Sequence, residues 1–159
     1  METTEQHLFA DNEYQLVQAS GGKRFANYII DLIVFYALLF GSGIIIGLLN
    51  PAAFDSLPED DSFGYGLLDR LIGLVLYGLY MFLVEALFKG KSLGKLITGT
   101  RAVNEDGSNL SPKTALLRGL SQAVPFNAFS ALGTPSYPWH DKWTKSYVID
   151  EKESNRPTD

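Results

Sequence analysis

The stretch that decides the fold is GGKRFANYIIDLIVFYALLFGSGIIIGLLN, residues 21–50. Its 18 residues from Leu32 to Leu49 carry no charge. A helix of about that length crosses a bilayer core of roughly 30 Å at 1.5 Å per residue. The stretch therefore predicts a membrane-spanning helix over about residues 24–49, in which Arg24 and Asp31 are unexpected charges.

The spacing of these two charges indicates a shared face. Arg24 and Asp31 are seven residues apart, close to two helical turns, so a helix places them on one side about 10 Å apart along its axis. Asn27 and Tyr28 fall between them on that side. A charge within a membrane span costs about 2.5–3.5 kcal/mol on insertion scales and usually faces a polar partner or a wet cavity. We therefore predict a polar cluster or ion-binding site here; the simpler alternatives are a structural ion pair for Asp31 and a snorkelling flank position for Arg24.

A second span is predicted over about residues 67–88, LLDRLIGLVLYGLYMFLVEALF. The segment 50–66 between the spans is acidic and rich in turn residues, so it reads as a loop. Glu85 lies near the end of the second span. It could join the polar cluster, or it could pair with Lys89 four residues later, which would contribute only about 0.2–0.5 kcal/mol.

Basic residues mark one side of the predicted membrane. They precede the first span and follow the second, and the loop between has one only at its edge: Lys23, Arg24, Lys89, Lys91, Lys95 and Arg101, with Arg70 at the loop edge. The positive-inside rule then puts the N-terminus and the segment after the second span in the cytoplasm. Residues 1–22 lack the basic flank and apolar core of a signal peptide, so we expect a polar lead-in and a retained first span.

A third segment, residues 114–133, contains Arg118, Gln122 and Pro125, which suit a lipid-exposed span poorly. We predict a re-entrant or interfacial helical hairpin there. The flanking stretches 99–107 and 144–150 are rich in Thr and Val and could pair as strands, which requires an even number of full crossings. The predicted fold class is an all-α membrane protein with two transmembrane helices, this third hairpin and a small cytoplasmic β-strand pair. Residues 23–150 form the membrane domain, and residues 151–159 are expected to be a disordered tail.

The composition argues against several function classes. The absence of cysteine excludes disulfides and cysteine-based metal sites, and His7 and His140 cannot form a ligand set alone, so no metal or cofactor is expected. The net charge of −5 and the lack of a basic stripe argue against nucleic acid as a partner. No phosphate loop follows a strand and no catalytic triad spacing occurs, so we do not expect an enzyme.

Three motifs together resemble the RDD family of bacterial membrane proteins, which is named for one arginine and two aspartates. They are the Arg24/Asp31 pair, GKSLGKLITGTRAV (90–103) and HDKWTKSYVI (140–149). The resemblance covers about residues 20–150. It implies that Arg24 is the arginine, Asp31 the first aspartate and Asp141 the second. The chain departs from the family pattern at Leu96, where an arginine is usual, and at Lys145-Ser146, where Gly-Thr is usual.

The resemblance completes the predicted cluster and leaves two functions open. The candidate polar or ion-binding residues are Arg24, Asp31, Asp141 and Glu85, supported by Asn27, Tyr28, Lys95 and His140. One hypothesis is a small ion or solute transporter, or a component of one, in which Asp31 takes up a proton or cation; two helices enclose little, so it needs an oligomer or another subunit. The other is a non-catalytic membrane scaffold or accessory subunit whose buried charges fix helix packing. Either would lie in the bacterial inner membrane as a multi-pass protein with both termini cytoplasmic, in contact with the lipid bilayer and with a homo-oligomer or membrane protein partner.

Overall fold

The computed structural model describes residues 16–55, 63–124, 130 and 138–154. Helices dominate this part of the chain, and two short strands complete it. In chain order the elements are α1 (Gly21–Leu49), a 3-10 turn (Pro51–Phe54), α2 (Phe63–Leu87), α3 (Leu93–Thr98), β1 (Thr100–Asn104), α4 (Pro112–Gln122), α5 (Trp139–Thr144) and β2 (Ser146–Asp150).

Helices α1 and α2 have the length and composition of membrane spans. The mean hydropathy of the most apolar 18 residues is 2.5 in α1 and 1.8 in the part of α2 from Gly66 to Leu87. Only 6% and 17% of those residues are buried inside the protein, whereas the core helix of a soluble protein would bury most of them. The prediction of two membrane-length helices is confirmed. Ser20 is the N-cap residue of α1, and its side chain accepts a hydrogen bond from the Lys23 backbone N–H.

The two strands pair antiparallel, with Ala102 opposite Val148, so the predicted strand pair is confirmed. The residues before α1 join the other edge of β2. The Ala19 N–H donates to the Val148 carbonyl at 2.8 Å, and the Asp150 N–H donates to the Val17 carbonyl at 2.8 Å. This arrangement holds both ends of the described chain beside one strand.

The structure describes only the first four residues of the predicted tail. Residues 151–154 form a turn after β2, and the Ser154 hydroxyl accepts a hydrogen bond from the Val17 N–H at 2.9 Å. Residues 155–159, like residues 1–15 of the predicted lead-in, lie outside the described residues.

Helix α4 packs directly on α2. A Cβ added to Gly78 would lie 3.0 Å from the Gly119 carbonyl oxygen, and one added to Gly119 would lie 2.8 Å from the Phe82 nitrogen. The two backbones therefore touch at this crossing. The helical first part of the predicted hairpin corresponds to α4, while the expected break at Pro125 and most of the second part lie outside the described residues. The re-entrant hairpin stays a prediction.

Two further contacts position the polar residues. Helices α1 and α2 meet through an aromatic cluster in which the Phe35 ring lies 5.3 Å from the Tyr77 ring and 5.6 Å from the Tyr80 ring. Helix α3 packs on α1 so closely that a Cβ on Gly94 would lie 2.6 Å from the Asn27 carbonyl oxygen. Helix α3 thus lies against the N-terminal part of α1.

Candidate functional site

Arg24 on α1 points toward the sheet rather than toward solvent. Its Nε donates to the Ala19 carbonyl at 3.2 Å and its Nη2 to the Val148 carbonyl at 3.2 Å. Its Nη1 donates to the Asp141 carboxylate. The side chain is buried, so the snorkelling alternative does not describe it.

Asp141 on α5 lies between two arginines. Its Oδ2 accepts from Arg24 and its Oδ1 from Arg118, and His140 Nε2 lies 3.4 Å from Oδ1. Burial alone would raise the pKa of this carboxyl, but Arg118, His140 and Arg24 hold the pKa well below its usual range. Burial has the opposite effect on a histidine and lowers the pKa of His140 to about 4. The negative charge of Asp141 opposes this shift but does not cancel it. At neutral pH His140 is therefore neutral, and the arginines keep Asp141 ionised.

Arg118 on α4 is the residue that the sequence reasoning missed as a cluster member. It is 0% exposed. Its Nε donates to Glu85 Oε2 at 2.9 Å, and its Nη1 donates to Asp141 and to the Ser146 hydroxyl. Burial would lower its pKa, but Glu85 and Asp141 raise it above the ordinary value. The sequence did contain one signal for Arg118. Arg24 alone could not neutralise the several acidic residues of the predicted cluster, so a second buried arginine could have been expected.

Glu85 on α2 joins the same cluster and is also fully buried. In addition to Arg118, it accepts from Lys95 Nζ at 2.5 Å and from Gln122 Nε2 at 3.1 Å, both on Oε1. Its cation partners are thus on α4 and α3. The alternative pairing with Lys89 does not occur, because Lys89 is exposed beyond the end of α2.

These contacts form a continuous series of ion pairs with alternating charge. We call it the ion-pair chain, and its members are Arg24, Asp141, Arg118, Glu85 and Lys95. They come from α1, α5, α4, α2 and α3 respectively. Three cations face two anions, so the chain carries a net charge of +1 and has a cation at each end.

Asp31 lies apart from the ion-pair chain although it shares a helix face with Arg24. Its Oδ2 accepts from the Ser92 hydroxyl at 2.5 Å and its Oδ1 from the Gly94 N–H at 2.8 Å. It is 2% exposed, and no cation of the described residues forms an ion pair with it. Asp31 therefore binds the N-terminus of α3, where free N–H groups and the helix dipole favour an anion.

Asn27 adds a second contact between α1 and the segment after α3. Its side-chain amide lies 2.5 Å from the Thr98 hydroxyl and 2.9 Å from the Thr100 hydroxyl. Those two hydroxyls lie 3.0 Å apart. The amide thus fixes the turn into β1 against the polar face of α1, by which we mean the side that carries Arg24, Asn27 and Asp31.

A small cavity of about 50 Å³ lies along this polar face. Its polar wall includes most of the residues predicted from the sequence: Arg24, Asn27, Tyr28, Asp31, Lys95 and His140. Glu85 and Asp141 do not line it. The cavity has room for a few water molecules, and both cationic ends of the ion-pair chain reach it. Within the described part of the chain, no three acidic or histidine side chains are grouped as a metal site would require.

The fold and the site define a class of protein: a membrane-type protein in which, over the residues that the structure describes, a buried ion-pair chain joins two apolar helices to three shorter ones. The model of the RDD family matches residues 18–137, which is 120 of the 159 residues. The chain belongs to the RDD family, as its motifs predicted. The match includes Arg24 and Asp31 and ends before Asp141. Comparison with curated proteins gave no match, and neither did comparison with solved structures.

Proposed function

We propose that this protein is a non-catalytic scaffold or accessory subunit of a membrane assembly, in which the ion-pair chain fixes the arrangement of the helices. The observation that carries the proposal is the position of Arg118, which is fully buried and pairs with Glu85 of α2 and Asp141 of α5 at once. Buried ion pairs add little net stability because desolvation offsets their attraction, but breaking one is costly. Such a chain therefore favours one packing of the helices over others.

The proposal includes a cellular location and a membrane topology. We infer an inner-membrane location with both termini cytoplasmic, a strand pair on that side, and an interfacial hairpin that begins with α4. The basic residues at the strand-pair end of α1 and α2 support this orientation through the positive-inside rule. A single-cysteine topology test is direct because the chain has no native cysteine. Lys142→Cys should be labelled only after permeabilisation and Asp55→Cys in intact cells; the reverse pattern would contradict the orientation.

The partner in the accessory role is proposed to be another membrane protein. The outer part of α1 supports this, because side chains such as Ile44 and Leu48 are exposed there and can contact lipid or a neighbouring helix. Affinity purification in mild detergent, after cross-linking in cells, tests the accessory role. We expect one stable membrane partner at a fixed ratio, and recovery of a homo-oligomer alone would argue against an accessory role.

A second candidate function is that of a transporter component, and a different observation favours it. Asp31 is a buried carboxylate that no described cation pairs with, and it lines the cavity. Such a group could take up a proton or a cation. Purified protein in liposomes with a pH-sensitive dye tests this. Proton flux that depends on an imposed cation gradient and is lost in Asp31→Asn is expected, while no flux in the wild type at any gradient would contradict transport.

A further inference from the structure

The cavity along the polar face is lined by side chains of both charges, and these charges are only partly neutralised within the described part of the protein. The ion-pair chain has a net charge of +1, and its two cationic ends, Arg24 and Lys95, both reach the cavity. Asp31 reaches the same cavity without an ion-pair partner among the described residues. The cavity is therefore lined by two cationic side chains and one anionic side chain.

The hydrogen-bonding groups at the cavity are also only partly used. The Lys95 ammonium has three N–H donors, and among the described residues one is used, on Glu85 Oε1. Each Asp31 oxygen accepts one hydrogen bond, although a carboxylate oxygen can accept two. Lys95 and Asp31 are 4% and 2% exposed, so bulk water satisfies neither. Among the residues that line the cavity, Lys95 thus keeps unused donors and Asp31 keeps acceptor capacity.

We propose that this cavity binds a small zwitterion with a primary ammonium and an anionic group. The ammonium would donate to Asp31, and the anionic group would accept from Lys95 and Arg24. A simple anion would be repelled by Asp31, and a simple cation by Lys95 and Arg24, because the attraction and repulsion of buried charges are only weakly screened. A zwitterion offers a partner to each sign of charge in the cavity and adds no net charge.

The size of the cavity limits the ligand to a few non-hydrogen atoms inside it. Two sources have the required chemistry: a free short amino acid such as glycine, and the ethanolamine phosphate headgroup of a phospholipid. Phe25 lines the cavity and is 42% exposed, so its ring lies at the open side. The inference goes beyond both proposed functions, because binding requires neither transport nor a protein partner.

The first test compares ligands on the wild-type protein in detergent, with thermal unfolding as the readout and matched ionic strength. Glycine and β-alanine should raise the Tm with a saturable dependence on concentration. Betaine has no N–H donor, and acetate and ethylamine each carry one of the two charges, so these three should not. The proposal is overturned if acetate or ethylamine acts as strongly as glycine.

A parallel experiment identifies the source. The protein is placed in nanodiscs of phosphatidylethanolamine or of phosphatidylcholine, whose headgroups differ in the N–H donors of the ammonium. A higher Tm in phosphatidylethanolamine without any glycine effect supports the proposal and assigns the ligand to the lipid. A glycine effect with equal Tm in both lipids supports a free amino acid. If neither zwitterion has an effect, the proposal fails.

Variants then locate the site. Asp31→Asn should weaken the binding of the effective zwitterion by about tenfold, because the acceptor of the ligand ammonium loses its negative charge. Asp31 also binds the start of α3, so this variant could fail to fold. Phe25→Trp is therefore the second variant, because it narrows the open side at a partly exposed position and should weaken binding several-fold. Phe40→Trp is its control, at a side chain that is 67% exposed and does not line the cavity. Equal affinity in both tryptophan variants would place the ligand elsewhere and contradict the proposal.

These outcomes are separate from those of the proposed functions. Ligand-dependent Tm is measured without a gradient and without a partner protein. A protein that binds glycine but shows neither flux nor a partner supports the cavity site while both proposed functions fail. If the protein shows flux or a partner but binds no zwitterion, the cavity site fails and the corresponding proposed function stands.

Discussion

Gly119 of α4 lies against Gly78 of α2 with no space for a side chain between them: a Cβ on Gly119 would overlap the Gly78 carbonyl oxygen and lie 2.8 Å from the Phe82 nitrogen. This crossing lies next to Arg118 in the chain. Close backbone contact is what brings the Arg118 Nε within 2.9 Å of Glu85. Small residues at one crossing thus determine whether the ion-pair chain can close.

Gly119→Ala should therefore destabilise the protein. The added methyl group forces α4 away from α2, which we expect to cost about 1–3 kcal/mol as overpacking does in other interiors. Thermal unfolding in detergent measures the effect. Gly73→Ala is the control, because nothing lies within 4 Å of a Cβ there and alanine is the better helix former. Equal Tm values for the two variants would contradict the close crossing.

Arg118→Met should be more harmful than the loss of any exposed arginine. The substitution removes a positive charge that pairs with both Glu85 and Asp141, and the two carboxylates stay buried. Removing one member of a buried ion pair costs about 3–5 kcal/mol. We expect poor recovery of folded protein, measured by size-exclusion chromatography in detergent. Arg70→Met, at an exposed position of α2, should behave like the wild type. Arg118→Lys should rescue little, since one ammonium cannot replace a guanidinium that bridges two carboxylates.

Stability should fall as the pH falls from 7 toward 4. The pKa of His140 is lowered to about 4 in the folded protein, whereas an unfolded histidine has a pKa of about 6.5. Between those values the unfolded state binds the additional proton, so acid favours unfolding, and the contribution is fully present only above about pH 6.5. Asp141 acts in the same direction at lower pH, because its pKa is also lowered and its contribution is lost as the carboxyl is protonated.

The measurement is the unfolding midpoint as a function of pH. His140→Gln should flatten the curve between about pH 4 and 6.5 and leave the fall at lower pH, to which Asp141 contributes. Lys142→Gln, on the same helix but exposed, should keep the wild-type curve. A His140→Gln curve with unchanged slope would show that His140 does not carry this dependence.

Ser92→Ala should weaken the attachment of α3 to α1. The Ser92 hydroxyl donates to Asp31 and also accepts from the Lys95 N–H, so its loss removes a helix cap and leaves Asp31 short of a donor. We expect a loss of about 1–2 kcal/mol in unfolding free energy. Ser42→Ala on the exposed part of α1 is the matched control, where the hydroxyl donates to the Leu39 carbonyl of its own helix and to no other group of the described residues. A similar loss in both variants would contradict the role of Ser92.

The sequence could predict the long elements because each depends on local pattern. The charge-free run of α1 requires an apolar surrounding, and Thr-rich and Val-rich stretches around a turn favour paired strands. The pairing of Arg24 with Asp141 could be expected only through the family resemblance, because 117 residues separate them and no local pattern relates them.

Arg118 and Asp31 show why the rest of the site could not be predicted. Arg118 joins the ion-pair chain through the glycine crossing, which is a tertiary contact between helices far apart in sequence. Asp31 shares a helix face with Arg24, and that pattern predicted that both residues belong to one polar cluster. The two-turn separation instead brings Asp31 to the N-terminus of α3, whose hydroxyl and N–H groups bind it in place of an arginine.

The long separation between Arg24 and Asp141 has a consequence for biosynthesis. At roughly 5–20 residues per second, a ribosome makes Asp141 on the order of ten seconds after Arg24. Helix α1 therefore enters the bilayer with an arginine whose final partner has not yet been translated. Until translation reaches α5, water, lipid headgroups or the insertion machinery must solvate that guanidinium, so closure of the ion-pair chain is a late step in the maturation of the protein.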